Sequence, residues 1–284
     1  MKLRDLLEAS KSDGKSFKKG VSELKFKELL KEKATNSHEQ AKKFPIFIGA
    51  SWGSDFLLLH PEVKRDKAES WLDHLIAKAK SWAAFPDREF SIKATCSFKH
   101  AKEQAEKIRD GEVYVLLPYD HTKIGVAPHS EFDESFGKTA NSMRLDDLSD
   151  KSLREWAERI ISALIAMKIN IKGDFADSHE GFFKLLNKID TAIGANKIKL
   201  QADLKKTEEI DDEAKHALND LLTHYHGSVE GYLTRKLDPD SNDFVLTTST
   251  SFSPKHSSEV WISGTCLAIK REKYIELYER GDIK

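Results

Sequence analysis

The chain has 284 residues, 39% apolar and 33% charged, enough for one large domain or two smaller ones with a real core. Its 46 basic and 47 acidic side chains nearly cancel, so no whole-protein field draws in nucleic acid or an anionic membrane. MKLRDLLEAS lacks the apolar core of a signal peptide and no run of about 18 apolar residues occurs, so the chain reads as cytoplasmic and outside the membrane.

Residues 1–43 read as a charged helical region. In VSELKFKELLKEKA, Val21, Leu24, Phe26, Leu29 and Leu30 recur at helical spacing, and the lysines of KSFKKG (15–20) read as a solvated surface. FPIFIGA (44–50) and SDFLLLH (54–60) read as strands. Residues 65–84 return to helical period, with Trp71, Leu75, Ala79 and Trp82 on one stripe and Pro86 after the end. Two tryptophans on one stripe can stack a base, but more often they anchor a core.

Residues 89–98 alternate. Phe90, Ile92, Ala94, Cys96 and Phe98 point one way; Glu89, Ser91, Lys93, Thr95 and Ser97 point to solvent. A short helix over 100–111 follows, then the central-strand pattern EVYVLLP (112–118), apolar on both faces. KIGVAP (123–128) reads as its hairpin partner through the turn YDHT.

The stretch 141–242 is helical. In SDKSLREWAERIISALIAMK, Leu153, Trp156, Ile160, Leu164 and Met167 share a face, Ser149 or Asp150 can cap the start, and Glu155 can pair with Arg159. HEGFFKLLNKIDTAIG and DDEAKHALNDLLTHYHG are further helices. Strand composition returns at 243–271, and REKYIELYERG closes the chain as a helix. The pattern predicts an α+β fold: a mixed, mainly antiparallel sheet built from both chain ends, 44–140 and 243–284, with a helical block at 141–242 inserted or appended. Two sequential domains are the rival arrangement. Thr95-Cys96-Ser97 before Glu112-Val113-Tyr114, and Thr250-Ser251 before Glu259-Val260-Trp261, form a weak internal echo that similar strand grammar also explains.

The sequence has no phosphate-binding glycine loop, dinucleotide fingerprint, zinc-protease helix or nucleophile elbow. Cys96 and Cys266 stand in apolar runs with no CxxC or Cys/His cluster, so they read as inert buried thiols, and no metal is expected. His224 and His226, two apart at a helix end, turn about 200° from each other and suit no shared metal. His121 and His129 read as turn residues.

The remaining polar set is Arg88, Ser91, Thr95, Ser97 and Glu259. PDREFSIKATCSFKHAKEQAEKIRDGEVYVLLPYDHTKIGVAP resembles the central strands of mono-ADP-ribosyltransferases, in which an arginine, a hydroxyl-bearing strand and a glutamate line one NAD cleft. The resemblance implies NAD as co-substrate and a macromolecular, possible protein target. Glu259 would be the catalytic acid, with Glu112 as rival. Arg88, Ser91, Thr95 and Ser97 would hold NAD, with Thr250 and Ser251 as rival hydroxyls. The chain departs from the family in lacking a second acid two residues from Glu259 and in carrying Arg88 on the same strand as Thr95. Each residue also has a plainer reading, as a surface arginine, strand hydroxyls and an exposed strand-start acid. The alternative function is a non-enzymatic interaction or structural protein. The charge balance and the lack of basic–aromatic interleaving speak against nucleic acid.

Overall fold

A computed structural model of the chain describes residues 18–61, 70–88, 90–171, 178–225, 227–254 and 257–283. The readings that involve Glu89, His226 and residues 1–17 and 62–69 lie outside them in whole or part. In chain order come β1 (Lys18–Gly20), α1 (Glu23–Lys33), α2 (Thr35–Ala41), β2 (Ile46–Ala50) and β3 (Phe56–Leu59). Next are α3 (Trp71–Lys78), β4 (Ile92–Thr95), α4 (Phe98–Glu106), β5 (Glu112–Pro118) and β6 (Lys123–Val126). The helices α5 (Gly137–Ser142), α6 (Asp150–Ala166), α7 (His179–Asp203), α8 (Asp212–His224) and α9 (Val229–Lys236) follow. β7 (Val245–Thr248), β8 (Glu259–Ile262), β9 (Cys266–Lys270) and α10 (Arg271–Glu279) complete the chain.

The elements fall into two compact units, Met1–Lys67 with Ala83–Phe132 and Asp243–Lys284, and Ala68–Trp82 with Asp133–Asn242. Residues 18–43 therefore contribute β1, α1 and α2 to the first unit, and α3 belongs to the second.

Among the described residues the first unit carries a nine-stranded antiparallel sheet in the order β1-β3-β9-β5-β2-β4-β8-β6-β7, an α+β fold. Strands from the end of the chain sit among the early ones: β9 lies between β3 and β5, and β8 between β4 and β6. Side-chain alternation sends Phe47, Val115, Leu117, Leu267 and Ile269 to one face, where they pack with Phe26, Leu30, Ala101 and Leu277 of the helices and with Ala34 between α1 and α2. Ile46, Leu57, Ala94, Leu116, Ile124, Val260 and Ala268 form the core of the other face. α4 lies close over β2 because Gly49 has no Cβ; one built there would meet the Ala101 carbonyl oxygen at 2.3 Å.

The β5–β6 hairpin does not form. Thr122 N–H bonds to the Tyr119 carbonyl and His121 takes φ 62°, so the YDHT turn exists. Both edges of β5 are already filled, however, Leu116 facing Ile46 on one side and Ala268 on the other. β6 is displaced to β8 and β7 instead.

In the second unit, α6 buries Leu153, Trp156, Ile160, Leu164 and Met167, the face that the periodicity predicts. Ser149 is the cap, its hydroxyl accepting from Ser152 N–H. Glu155 meets Lys151 and Arg159 meets Glu213, so the expected Glu155–Arg159 pair is not the one formed. Trp71 stacks on Phe182 with centroids 3.9 Å apart, and Trp156 on Tyr232 at 5.6 Å. α3 ends at Lys78, shorter than the predicted helix, because Ala79 turns extended at ψ 121°. Trp82 sits in a 3-10 turn and its Nε1 donates to the Leu237 carbonyl. Both stripe tryptophans are core anchors, 6% exposed. No helix among the described residues is long and apolar enough to cross a membrane.

Candidate functional site

The site forms at the β4–β8 pair, where Thr95 stands directly opposite Glu259. Residues opposite each other on an antiparallel pair share a face, with Cβ atoms about 5 Å apart. The backbone of Glu259 is fixed from its other side: its N–H donates to the His129 carbonyl and its carbonyl accepts from Ala127 N–H. Two residues on, Trp261 shares the Glu259 face and lies across from Gly125 of β6. The indole is fully buried, edge-on to Phe132 and Phe244 at 5.7 and 6.0 Å. Its Nε1 donates to the Pro86 carbonyl at 3.0 Å. That bond ties residues 86–88 to β8, and Arg88 then reaches the acid two residues before the tryptophan.

Arg88 Nε donates to Glu259 Oε1 at 2.9 Å, with side chains 16% and 13% exposed. Its guanidinium carbon also lies 3.9 Å from the centroid of Phe132. A charge pair at this depth holds its geometry through hydrogen bonding and the aromatic ring rather than through Coulomb attraction across water.

The predicted hydroxyls are placed differently from the expectation. Ser91 and Thr95 are buried, 7% and 2% exposed, although Lys93 between them on the same face is only half-buried. Ser91 Oγ donates to the Asp87 carbonyl at 2.6 Å. Thr95 Oγ1 accepts from Ser97 N–H at 3.1 Å. Ser97 is not on the strand: β4 ends at Thr95, and Ser97 caps α4 by accepting from His100 N–H. Phe98 is accordingly the first residue of that helix, not the last inward residue of a strand. The same serine or aspartate capping bond opens α1, α3, α6, α7, α8 and α9, so Ser97 repeats a device this chain uses throughout.

The structure thus joins Arg88 with Glu259, sets Thr95 opposite that acid, and gives Ser91 and Ser97 local backbone partners. The rival acid Glu112, at the start of β5, pairs with Lys270 at 3.7 Å. The rival hydroxyl Thr250 meets Thr248 in the turn after β7. Burial pushes the Cys96 thiol up to about 12 and raises that of Cys266 well above its ordinary value, which leaves neither as a thiolate nucleophile at neutral pH. No group of three or more metal-ligating side chains occurs among the described residues. Sequence reasoning missed Phe132, Trp261 and the Pro86 carbonyl, the parts that aim Arg88. No local signal marks them, because their partners lie 175 residues apart in the case of Pro86 and Trp261.

No protein-family model, curated protein or solved structure matches the chain.

Proposed function

We propose that the chain is an NAD-dependent ADP-ribosyltransferase acting on a macromolecular target at the Arg88–Glu259 site. The observation that carries the reading is the register of β4 against β8, which puts Glu259 on one face with Thr95 and within reach of Arg88. Breaking the nicotinamide glycosidic bond builds positive charge on the ribose, and a carboxylate beside it offsets that charge. A guanidinium suits the pyrophosphate. The two are bonded to each other in the free protein, so NAD binding has to exchange partners: the pyrophosphate takes Arg88, and Glu259 is released toward the ribose. Nicotinamide leaves with the bonding electrons, and a nucleophile of the target closes on the anomeric carbon.

Incubation with labelled NAD and cell extract tests the reading. Label transfer to a macromolecule and nicotinamide release are expected, and Glu259→Gln should lower both by about 100-fold or more. The thermal midpoint of the variant, measured alongside, separates lost chemistry from lost folding. An intact NAD pool and an unlabelled extract would rule the activity out.

A second reading, a non-enzymatic interaction protein, is supported by the local bonds of Ser91, Thr95 and Ser97 and by the closed Arg88–Glu259 pair. Under that reading Glu259 is structural, and Glu259→Gln changes the melting temperature while NAD binding is absent in both forms.

A further inference from the structure

The helical unit holds a cavity of about 350 Å³. Leu186 and Val229, both buried, form its apolar side. Asn187 and Asp190 line it from α7, Lys78 from the end of α3, and Ser228, Glu230 and Thr234 from the start of α9. Its charges are unequally engaged. Lys78 is committed twice: its Nζ lies 3.2 Å from Glu230 Oε1 and 4.4 Å from the ring centroid of Phe183. Asp190 is left over. Its Oδ1 accepts from the Tyr225 hydroxyl, and no cation is bonded to it among the described residues. Burial, and after it Asp190 itself, pushes the Tyr225 hydroxyl up to about 12, so at neutral pH this donor is uncharged and leaves the carboxylate charge uncancelled. Asp190 is half-buried, and a charge at that depth is screened less than one in open solvent.

The other polar groups of the wall are mostly acceptors. Asn187 stands one turn before Asp190 on the same side of α7. The Thr234 hydroxyl gives its proton to the Gly231 carbonyl, which leaves its oxygen to accept. An anion would have to use the first turn of α9, where a helix favours negative charge. That turn is already provided for: Ser228 Oγ accepts from Gly231 N–H, and Glu230 stands in it. A metal ion would find only Asp190 and Glu230, the second of which holds Lys78. We propose that the cavity binds a primary alkylammonium, its three N–H donors shared among Asp190, the Asn187 carboxamide oxygen and the Thr234 hydroxyl, and its methylenes laid on Leu186 and Val229. The inference does not rest on the NAD reading, since every residue of the cavity belongs to the helical unit.

Titration of the full chain with butylamine at neutral pH, followed by amide chemical shifts, tests it, with butanol and butyrate as probes of equal chain length. Butylammonium should bind saturably and shift the amides of Asn187, Asp190 and Thr234, while the alcohol and the acid should not. Asp190→Asn keeps an oxygen for Tyr225 but loses the charge, and should weaken binding at least about tenfold. Glu208→Gln, at an exposed acid of the same unit, should leave it unchanged. Thermal midpoints show that both variants are folded, and the alcohol and acid arms need no variant at all. Two further probes separate the sources of such an amine. Tighter binding of putrescine than of acetyl-lysine methylamide assigns a free amine, and the reverse order assigns a lysine side chain of another protein. No saturable binding of any of the three amines, equal binding of butanol, or undiminished binding by folded Asp190→Asn would overturn the proposal.

Discussion

Gly125 faces Trp261 across the β6–β8 pair, and a Cβ there would lie 2.3 Å from Cε2 of the indole. The indole cannot yield, being buried and bonded to Pro86. Gly125→Ala should cost about 1–3 kcal/mol by overpacking, read as a lower denaturation midpoint. The same change would loosen residues 86–88 and so disturb the Arg88–Glu259 bond. A second residue sets a pH response. His38 is 4% exposed, packs edge-on to Tyr274, and leaves its Nε2 without a hydrogen bond. Burial, with a smaller contribution from Lys42, lowers its basicity below the ordinary histidine value of 6.5. The unfolded chain then takes up a proton near pH 6.5 that the folded chain refuses. Stability therefore falls as pH drops through about 6.5, by at most about 1.4 kcal/mol per pH unit from this residue. His60, lowered in the same direction by burial, adds to the slope. Urea midpoints between neutral and mildly acid pH should show this decline, and His38→Phe should flatten it.

Each helix start states a local rule that the whole element obeys. Ser149 accepts from Ser152 N–H, and Asp147 accepts from both serine hydroxyls. These bonds, that from Ser149 first, lower the Asp147 carboxyl below its usual range. Ser149→Ala removes the cap and one of Asp147's partners, and should destabilise α6 by about 1 kcal/mol, measured by thermal melting. Asp147→Asn tests the arrangement separately, since it leaves the Ser149 cap in place. Strands obey no comparably local rule. The pattern of β4 suggests a half-buried strand with its hydroxyls on the solvent face, yet Ser91 and Thr95 are 7% and 2% exposed. A hydroxyl among apolar neighbours and a hydroxyl facing solvent have the same signature in sequence.

The sheet cannot be assembled from one end of the chain. Without residues 243–284 it would lose β7, β8 and β9, separating β1-β3 from β5-β2-β4 and isolating β6. A chain ending at Asn242 should therefore fail to form the first unit, with β9 no longer joining Leu58 to Leu117 through Leu267. Loss of the strand component in circular dichroism and rapid proteolysis of residues 83–132 would report it. Such long-range pairing carries a large loop-closure cost before any contact forms, so folding of this unit should be slow for its size.

Periodicity and punctuation alone determined most of the elements: the central position of β5, the buried face of α6 and the closing helix α10. These are short-range properties, fixed by where apolar side chains and capping hydroxyls fall. Neighbour relations were decided only by the tertiary structure. It moved β6 away from β5, buried the hydroxyls of β4, turned Ser97 into a helix cap and bonded Arg88 to Glu259. The reason is physical: a strand's pattern specifies which face is apolar, whereas its partner depends on which edges the rest of the chain has left open.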